Sequence, residues 1–152
     1  MKKIVFKLML TNIMMLMLSE SIHAEAISNK NFGSVTVSEV TSIYDGDTFR
    51  ANIAEYPEII GYRMGIRVNG IDTPEMRGKC KQEKTLARKA KQFSVAKLRA
   101  AKVIELKNMK RGKYFRIVAD VYVDGENLGQ MLIAEDLAVP YNGGHKGKDW
   151  CL

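Results

Sequence analysis

The sequence is poor in proline, cysteine and tryptophan, which contribute only 3, 2 and 1 of its 152 residues. Together with 12 glycines, 46% hydrophobic residues and 27% charged residues, this composition excludes collagen-like, disulfide-dense and disordered chains. A long hydrophobic run is also missing. The apolar stretch at residues 8–18 has 11 residues, whereas a membrane-spanning helix needs about 20, so a permanent membrane anchor is not expected.

Internal repeats and signs of a second folded domain are missing as well, and the charge is not balanced. Lysine and arginine total 24 against 17 acidic residues, which gives a net charge of +7 and a pI of about 9.4. An excess of this size predicts a polyanionic partner, either nucleic acid or an anionic membrane. A role at a membrane surface rests only on this charge and on the basic face of the predicted helix, and it is the weakest of the functional hypotheses.

The N-terminal residues have the layout of a secretory signal peptide. Three lysines, Lys2, Lys3 and Lys7, precede the apolar stretch, and the small-x-small pattern Ala24-Glu25-Ala26 follows it. We therefore predict a signal peptide over residues 1–26 and a single mature domain over residues 27–152. The alternative is a buried N-terminal helix. Export predicts a periplasmic or secreted protein with no membrane attachment after cleavage, and no cysteine near the cleavage point offers a site for lipid.

Export also changes the interpretation of the two cysteines, Cys80 and Cys151. In an oxidising compartment a pair of this kind is usually a disulfide. Such a bridge closes a loop of about 70 residues and contributes roughly 4 kcal/mol in the chain-entropy model. Free thiols and a zinc site remain alternatives, although the wide spacing and the absence of a CxxC pair favour the disulfide.

Hydrophobic periodicity predicts strands, then a helix, then further strands. The five predicted strands are residues 35–43, 48–53, 62–71, 103–106 and 114–123. Residues 82–101 change to helical periodicity, with Leu86, Ala90, Phe93 and Ala101 on one face. A short second helix begins near Leu128 and ends near Leu137. This order of elements predicts an α+β fold or a small barrel with attached helices.

Three charged motifs lie beside predicted strand ends, and each has a purely structural alternative. Asp45-Gly46-Asp47-Thr48 is a turn that could present two carboxylates to one hard cation. Asp72-Thr73-Pro74-Glu75 is equally typical of a helix start, with Thr73 as N-cap. Lys113-Tyr114-Phe115-Arg116 opens a predicted strand, and Arg67 precedes Asp72. Arginines among carboxylates are commonly structural ion pairs.

Taken together, the order and spacing of these motifs resemble the staphylococcal nuclease (thermonuclease) family. The resemblance runs over about residues 35–141. It implies a five-stranded OB-type β-barrel, with one main helix and a second short helix packed on it. It also implies a calcium-dependent phosphodiesterase that hydrolyses DNA, RNA or both. Phe115 departs from the family pattern, which has glycine at this position.

The resemblance further implies the roles of the acidic residues. Asp47, Asp72 and the backbone carbonyl of Thr73 resemble the ligands of one Ca²⁺ ion, and calcium prefers such hard oxygen donors. Glu75 resembles the residue that orients or deprotonates the attacking water, and Asp45 supports the ligands from behind. Neither histidine nor cysteine belongs to this set, so covalent nucleophilic catalysis is not expected.

The basic and aromatic positions are assigned to the substrate in the same way. Arg67 and Arg116 resemble a catalytic pair that binds the phosphate, because a guanidinium pairs with two oxygens and stays charged. Lys113, Tyr114 and Tyr141 resemble residues that contact the nucleotide. The expected substrate is a single-stranded or frayed nucleic acid, and the expected enzyme is a monomer.

A non-catalytic OB-fold module that binds single strands by stacking and charge is the alternative function. The clustered acids favour the enzyme, because carboxylates repel a phosphate backbone unless a cation lies between them. Binding alone would not need them.

Overall fold

The computed structural model describes residues 30–152, and its main element is a strongly curled β-sheet. The predicted signal peptide lies outside the described residues. In chain order the strands are β1 Val35–Thr36, β2 Glu39–Ile43, β3 Thr48–Asn52, β4 Met64–Val68, β5 Ile71–Asp72, β6 Ile104–Arg111, β7 Arg116–Val123, β8 Glu126–Asn127 and β9 Val139–Pro140. The helices are α1 Glu58–Gly61, α2 Lys81–Ala100 and α3 Leu128–Ala134, and a 3₁₀ turn spans Lys113–Phe115.

The main sheet has the strand order β1-β6-β7-β4-β3-β2, with β8 paired to β7. β4 and β7 are parallel, whereas the other neighbours are antiparallel. Only Val37 and Ser38 separate β1 from β2. The Val37 N–H donates to the Ile104 carbonyl at 2.9 Å and the Ser38 N–H to the Asn52 carbonyl at 2.9 Å. This segment therefore bonds to both edges of the sheet, which curls until those edges meet.

The predicted α+β fold of OB type is confirmed, and the five strands of five or more residues match the expected number. Alternation along each strand buries one face, as in β3, where Phe49 and Ala51 are buried and Arg50 is exposed. The core is completed by α2 and α3, chiefly through Ala90, Leu98, Leu128 and Leu132.

The buried face of α2 differs from the predicted one. Glu83, Ala87, Ala90, Ser94 and Leu98 are buried, whereas Leu86 and Phe93 are only half-buried. Small side chains at these positions let the helix axis approach the sheet closely, and the larger residues cover the margins of the contact. Side-chain size therefore determines which face of α2 packs against the sheet as much as hydrophobicity does.

Several predicted boundaries were wrong where residue spacing was the only guide. Residues 73–79 are not helical, so Thr73 is not a helix N-cap; α2 begins at Lys81, and the Cys80 side chain caps it. Tyr114 and Phe115 have positive φ angles of 57° and 56° and belong to the 3₁₀ turn, so β7 starts two residues later than expected. β6 extends to Arg111.

The predicted disulfide between Cys80 and Cys151 is present, with the two Cα atoms 5.9 Å apart. It ties the C-terminal residues to the start of α2. Among the described residues, no helix combines the length and the apolarity that crossing a bilayer requires.

Candidate active site

The two aspartate motifs lie close together because strand pairing brings the turn before β3 next to β4 and β5. The turn of Asp45-Gly46-Asp47 joins β2 to β3, and Thr48 at the start of β3 pairs with Arg67 of β4. Asp72 ends β5, which follows β4 after a two-residue turn.

Asp47 lies at the centre of this cluster and is only 2% exposed. Its Oδ1 accepts hydrogen bonds from Thr48 Oγ1 at 2.9 Å and from Arg67 Nη1 at 2.6 Å. Its Oδ2 accepts from the Thr73 N–H at 3.2 Å. One carboxylate therefore contacts a residue of β3, a residue of β4 and the residue that follows β5.

Asp72 is also buried, at 3% exposure, and shares Arg67 with Asp47. Its Oδ1 lies 3.5 Å from Arg67 Nη2, while Nη1 of the same guanidinium holds Asp47. The two aspartates thus converge on one small region, as a shared cation requires.

A lysine that the sequence analysis did not single out completes the cluster. The Lys146 ammonium nitrogen lies 2.8 Å from Asp72 Oδ1 and also pairs with the carboxylate of Glu75. Glu75 is otherwise open to solvent, with its side chain 53% exposed. Burial alone lowers the pKa of the Lys146 ammonium, yet contacts with Asp72 and Glu75 outweigh this effect and raise the pKa.

The cluster holds more negative charge than its two cations balance. Burial, together with repulsion from Asp47, raises the pKa of Asp45 from 3.8 to about 7. Burial also raises the pKa of Asp47, although the Arg67 guanidinium opposes this effect. Both carboxyl groups are therefore harder to ionise than an exposed aspartate.

Helix α2 fixes the aspartate turn from behind. A Cβ atom on Gly46 would lie 2.8 Å from Ala90 Cβ and 2.9 Å from Thr73 Cγ2, so only glycine fits between the helix and the turn. The Ser94 hydroxyl donates to the Gly46 carbonyl at 2.6 Å. These contacts explain why small residues line the buried face of the helix.

A buried glutamate, also missed by the sequence analysis, organises the loop that carries Glu75. The Glu83 carboxylate accepts hydrogen bonds from the Glu75 N–H at 3.3 Å and the Lys79 N–H at 2.8 Å. Gly78 packs directly against it, and a Cβ there would lie 2.3 Å from Glu83 Cδ. An acidic residue in the first turn of a helix is commonly exposed, so its periodicity gave no indication of this contact.

The side chains of Cys80, Glu83 and Cys151 also lie within 4.8 Å of one another, a spacing that would suit a metal ion. Both sulfurs are joined in the disulfide, which leaves no thiolate to act as a ligand. The zinc alternative therefore lacks its soft donors.

Arg67 contacts the acids directly, and the other predicted substrate residues belong to two other segments, the 3₁₀ turn with the start of β7 and the C-terminal tail. Arg116 is the register partner of Gly65 and lies on the same outer face of the sheet as Arg67. Its Nε donates to the Lys113 carbonyl at 3.3 Å, and its guanidinium lies 5.6 Å from the Tyr114 ring centroid. Tyr141 is in the C-terminal tail, where its hydroxyl donates to the Gly144 carbonyl at 2.7 Å. Its contact with a nucleotide stays a prediction.

Comparison with known proteins supports the resemblance. A family model described as staphylococcal nuclease homologue matches residues 65–149, more than half of the chain. The match includes Arg67, Asp72, Glu75 and Arg116. No curated protein matches the chain.

Proposed function

Because the chain belongs to the staphylococcal nuclease family, a family of nucleases, we propose that it is a calcium-dependent phosphodiesterase acting on DNA or RNA. The observation that carries the proposal is the convergence of Asp47 and Asp72 on the guanidinium of Arg67, with Glu75 beside them. A binding module would have no use for buried acids at the edge of a basic surface.

The residues present fit a hard divalent cation. Asp47, Asp72 and the Thr73 carbonyl offer oxygen donors of the kind that calcium binds. A bound cation would favour the ionised forms of Asp45 and Asp47, whose pKa values burial raises. A bound calcium ion would supply fixed positive charge where phosphodiester cleavage develops negative charge.

The basic residues of the chain would bind and orient the phosphate. A guanidinium donates two parallel hydrogen bonds to phosphate oxygens and keeps its charge at any working pH. Arg67 is already oriented by Asp47. Arg116 lies on the neighbouring strand, on the same face, and would approach the phosphate from the other side.

Glu75 would hold the attacking water and accept its proton. Its side chain reaches solvent, whereas Asp47 and Asp72 do not. In the structure Lys146 pairs with both Glu75 and Asp72. Proton transfer to Glu75 and cation binding at Asp72 both require Lys146 to leave these partners.

We also propose an extracytoplasmic location, periplasmic or secreted, and a monomeric state. The predicted signal peptide supports this location. The Cys80–Cys151 disulfide supports it too, because such bonds persist in oxidising compartments.

Incubation of the mature protein with single-stranded DNA, with calcium and then with chelator, tests the function. We expect cleavage with calcium and almost none in chelator. Arg67→Ala or Glu75→Ala should lower the rate by about 10²–10³-fold, as expected for a lost charge-stabilising or proton-accepting group. Glu135→Gln, at an exposed position of α3's C-terminal end, serves as the control. Binding that ignores the chelator, without any cleavage, would instead identify the non-catalytic module.

A further inference from the structure

A groove of about 560 Å³ runs along the outer face of the sheet. Its floor follows one row of register partners across four strands: Ser42 of β2, Arg50 of β3, Gly65 of β4 and Arg116 of β7. Side chains in such a row point to the same face of a sheet. The groove is therefore a feature of the strand register and not of a single loop.

Gly65 keeps the floor of this groove low. A Cβ at this position would lie 3.0 Å from Arg116 Cγ. Because glycine has no side chain, the Arg116 side chain can lie across β4, and the groove stays open between its two walls.

The walls of the groove carry large, solvent-exposed rings. Tyr44, Tyr62, Tyr114 and Phe115 all line it. Tyr62 is 67% exposed and Tyr114 is 87% exposed. Scattered exposed aromatic residues are ordinary, but four around one groove provide flat apolar surfaces that water covers poorly.

The polar lining of the groove has charge of one sign. Arg50, Arg63, Lys91 and Arg116 line it, and none of the residues seen to line it within positions 30–152 is acidic. Cations interleaved with aromatic rings are what a single-stranded nucleic acid requires: the cations meet the phosphates and the rings stack on the bases.

The backbone holds several of these residues in an unfavourable conformation. Arg63, Tyr114 and Phe115 have φ angles of 49°, 57° and 56°, in the left-handed region that favours glycine. The Phe115 ring contacts the Arg111 guanidinium, 4.2 Å from its centroid, but stays exposed. Backbone strain of this kind, held in place by the surrounding structure, is typical of binding sites.

The groove leads directly into the acidic cluster. Thr48 lines the groove, and its hydroxyl donates to the Asp47 carboxylate at 2.9 Å. Arg116 lines the groove as well and lies on the same face as Arg67. A strand lying in the groove would therefore present a neighbouring phosphate to the acids.

We propose that this groove is an extended subsite that binds the unpaired nucleotides next to the phosphate being cleaved, an inference that rests on the proposed function. Tyr44, Tyr62 and Phe115 stack on the bases, and Arg50 and Arg63 pair with the phosphates. Paired bases in a duplex hide their faces from such rings, so the groove selects single-stranded substrate.

The test measures binding in chelator, where no cleavage is expected. A labelled single-stranded thymidine oligonucleotide of about twelve nucleotides, within the range that one OB fold covers, is titrated by fluorescence anisotropy at several salt concentrations. Tyr62→Ala should weaken binding by roughly tenfold, whereas Tyr62→Trp, which keeps a ring, should bind as the parent does. The melting temperature of each variant shows that it is folded.

The second arm tests the phosphate contacts. Arg50→Gln should weaken binding and reduce the slope of log Kd against log salt by about 0.7 for one lost contact with a single strand. Lys89→Gln makes the same charge change on the exposed side of α2, outside the groove, and should leave that slope unchanged.

The outcomes separate the groove from the catalytic proposal. Parent-like binding by both Tyr62→Ala and Arg50→Gln, or binding of a duplex as tight as that of the single strand, would overturn the groove, whether or not the protein cleaves DNA with calcium. No binding to the oligonucleotide by the parent protein would overturn it too. Binding lost in the two variants, with no cleavage by the parent in calcium, would keep the groove and overturn the hydrolytic function.

Discussion

The ammonium nitrogen of Lys146 lies 2.8 Å from Oδ1 of Asp72, where the proposed calcium ion needs a ligand. Lys146 belongs to the glycine-rich tail that the Cys80–Cys151 disulfide ties to the start of α2. The tertiary structure therefore holds a cationic side chain beside Asp72.

Removing this lysine should strengthen calcium binding. We expect Lys146→Met to raise the affinity for calcium by about fivefold, the equivalent of about 1 kcal/mol for a partly exposed ion pair, because the ion no longer competes with the ammonium. Isothermal titration calorimetry on the metal-free protein measures the change. Lys148→Met, in the same tail but with its ammonium over the Trp150 ring, is the matched control. Equal affinities in the two variants would show that Lys146 does not compete.

The disulfide should contribute strongly to stability. Cys80 and Cys151 are 71 residues apart in the sequence, and closing a loop of this length stabilises the folded state by roughly 4 kcal/mol in the chain-entropy model. Cys80→Ser/Cys151→Ser should lose most of that value in urea unfolding. A thiol titration of the parent protein under denaturing, non-reducing conditions should detect no free thiol. Two titratable thiols would disprove the disulfide.

The metal-free protein should become less stable as the pH rises from about 4 to 7. Asp45 has a pKa of about 7 in the folded state against 3.8 in the unfolded state, so the folded state retains a proton that the unfolded state releases in this window. The free energy of unfolding therefore falls with rising pH. Asp45→Asn keeps the acceptor oxygen for the Asp47 N–H but cannot ionise.

Thermal unfolding in chelator checks this expectation. Asp45→Asn should be more stable than the parent by roughly 2–4 kcal/mol above pH 7 and no more stable below pH 4. Asp136→Asn removes an exposed carboxylate and should leave the stability unchanged both above pH 7 and below pH 4. A difference between Asp45→Asn and the parent that does not depend on pH would mean that ionisation of Asp45 is not its cause.

The contact between α2 and the aspartate turn should tolerate no added methyl group. Gly46→Ala places a Cβ 2.8 Å from that of Ala90, and overpacking of this kind costs about 1–3 kcal/mol. It should also lower nuclease activity, because it displaces Asp47. Gly147→Ala, where a Cβ meets no atom within 4 Å, is the control for both urea unfolding and activity. A Gly46→Ala protein as stable as this control would contradict the packing described.

The sequence by itself determined the five main strands, the long helix, the disulfide and the acidic motifs. The strands, the helix and the motifs depend on local information: alternation places side chains on one face of a strand, and the order of charged residues does not depend on packing. The strands β3 and β4 were predicted near their observed positions for this reason. The pairing of Cys80 with Cys151 followed instead from the presence of two cysteines in a chain predicted to be exported.

The tertiary structure alone decided which residues share the site. Lys146 reaches Asp72 because the disulfide returns the tail to α2, and no local pattern predicts a contact between distant segments. Glu83 is buried because the loop after Asp72 folds over the start of the helix. Tyr114 and Phe115 adopt left-handed angles that isolated residues of their type disfavour by about 1–2 kcal/mol. The stability of the whole fold offsets this free-energy cost. Hydrophobic periodicity therefore could not predict these left-handed angles.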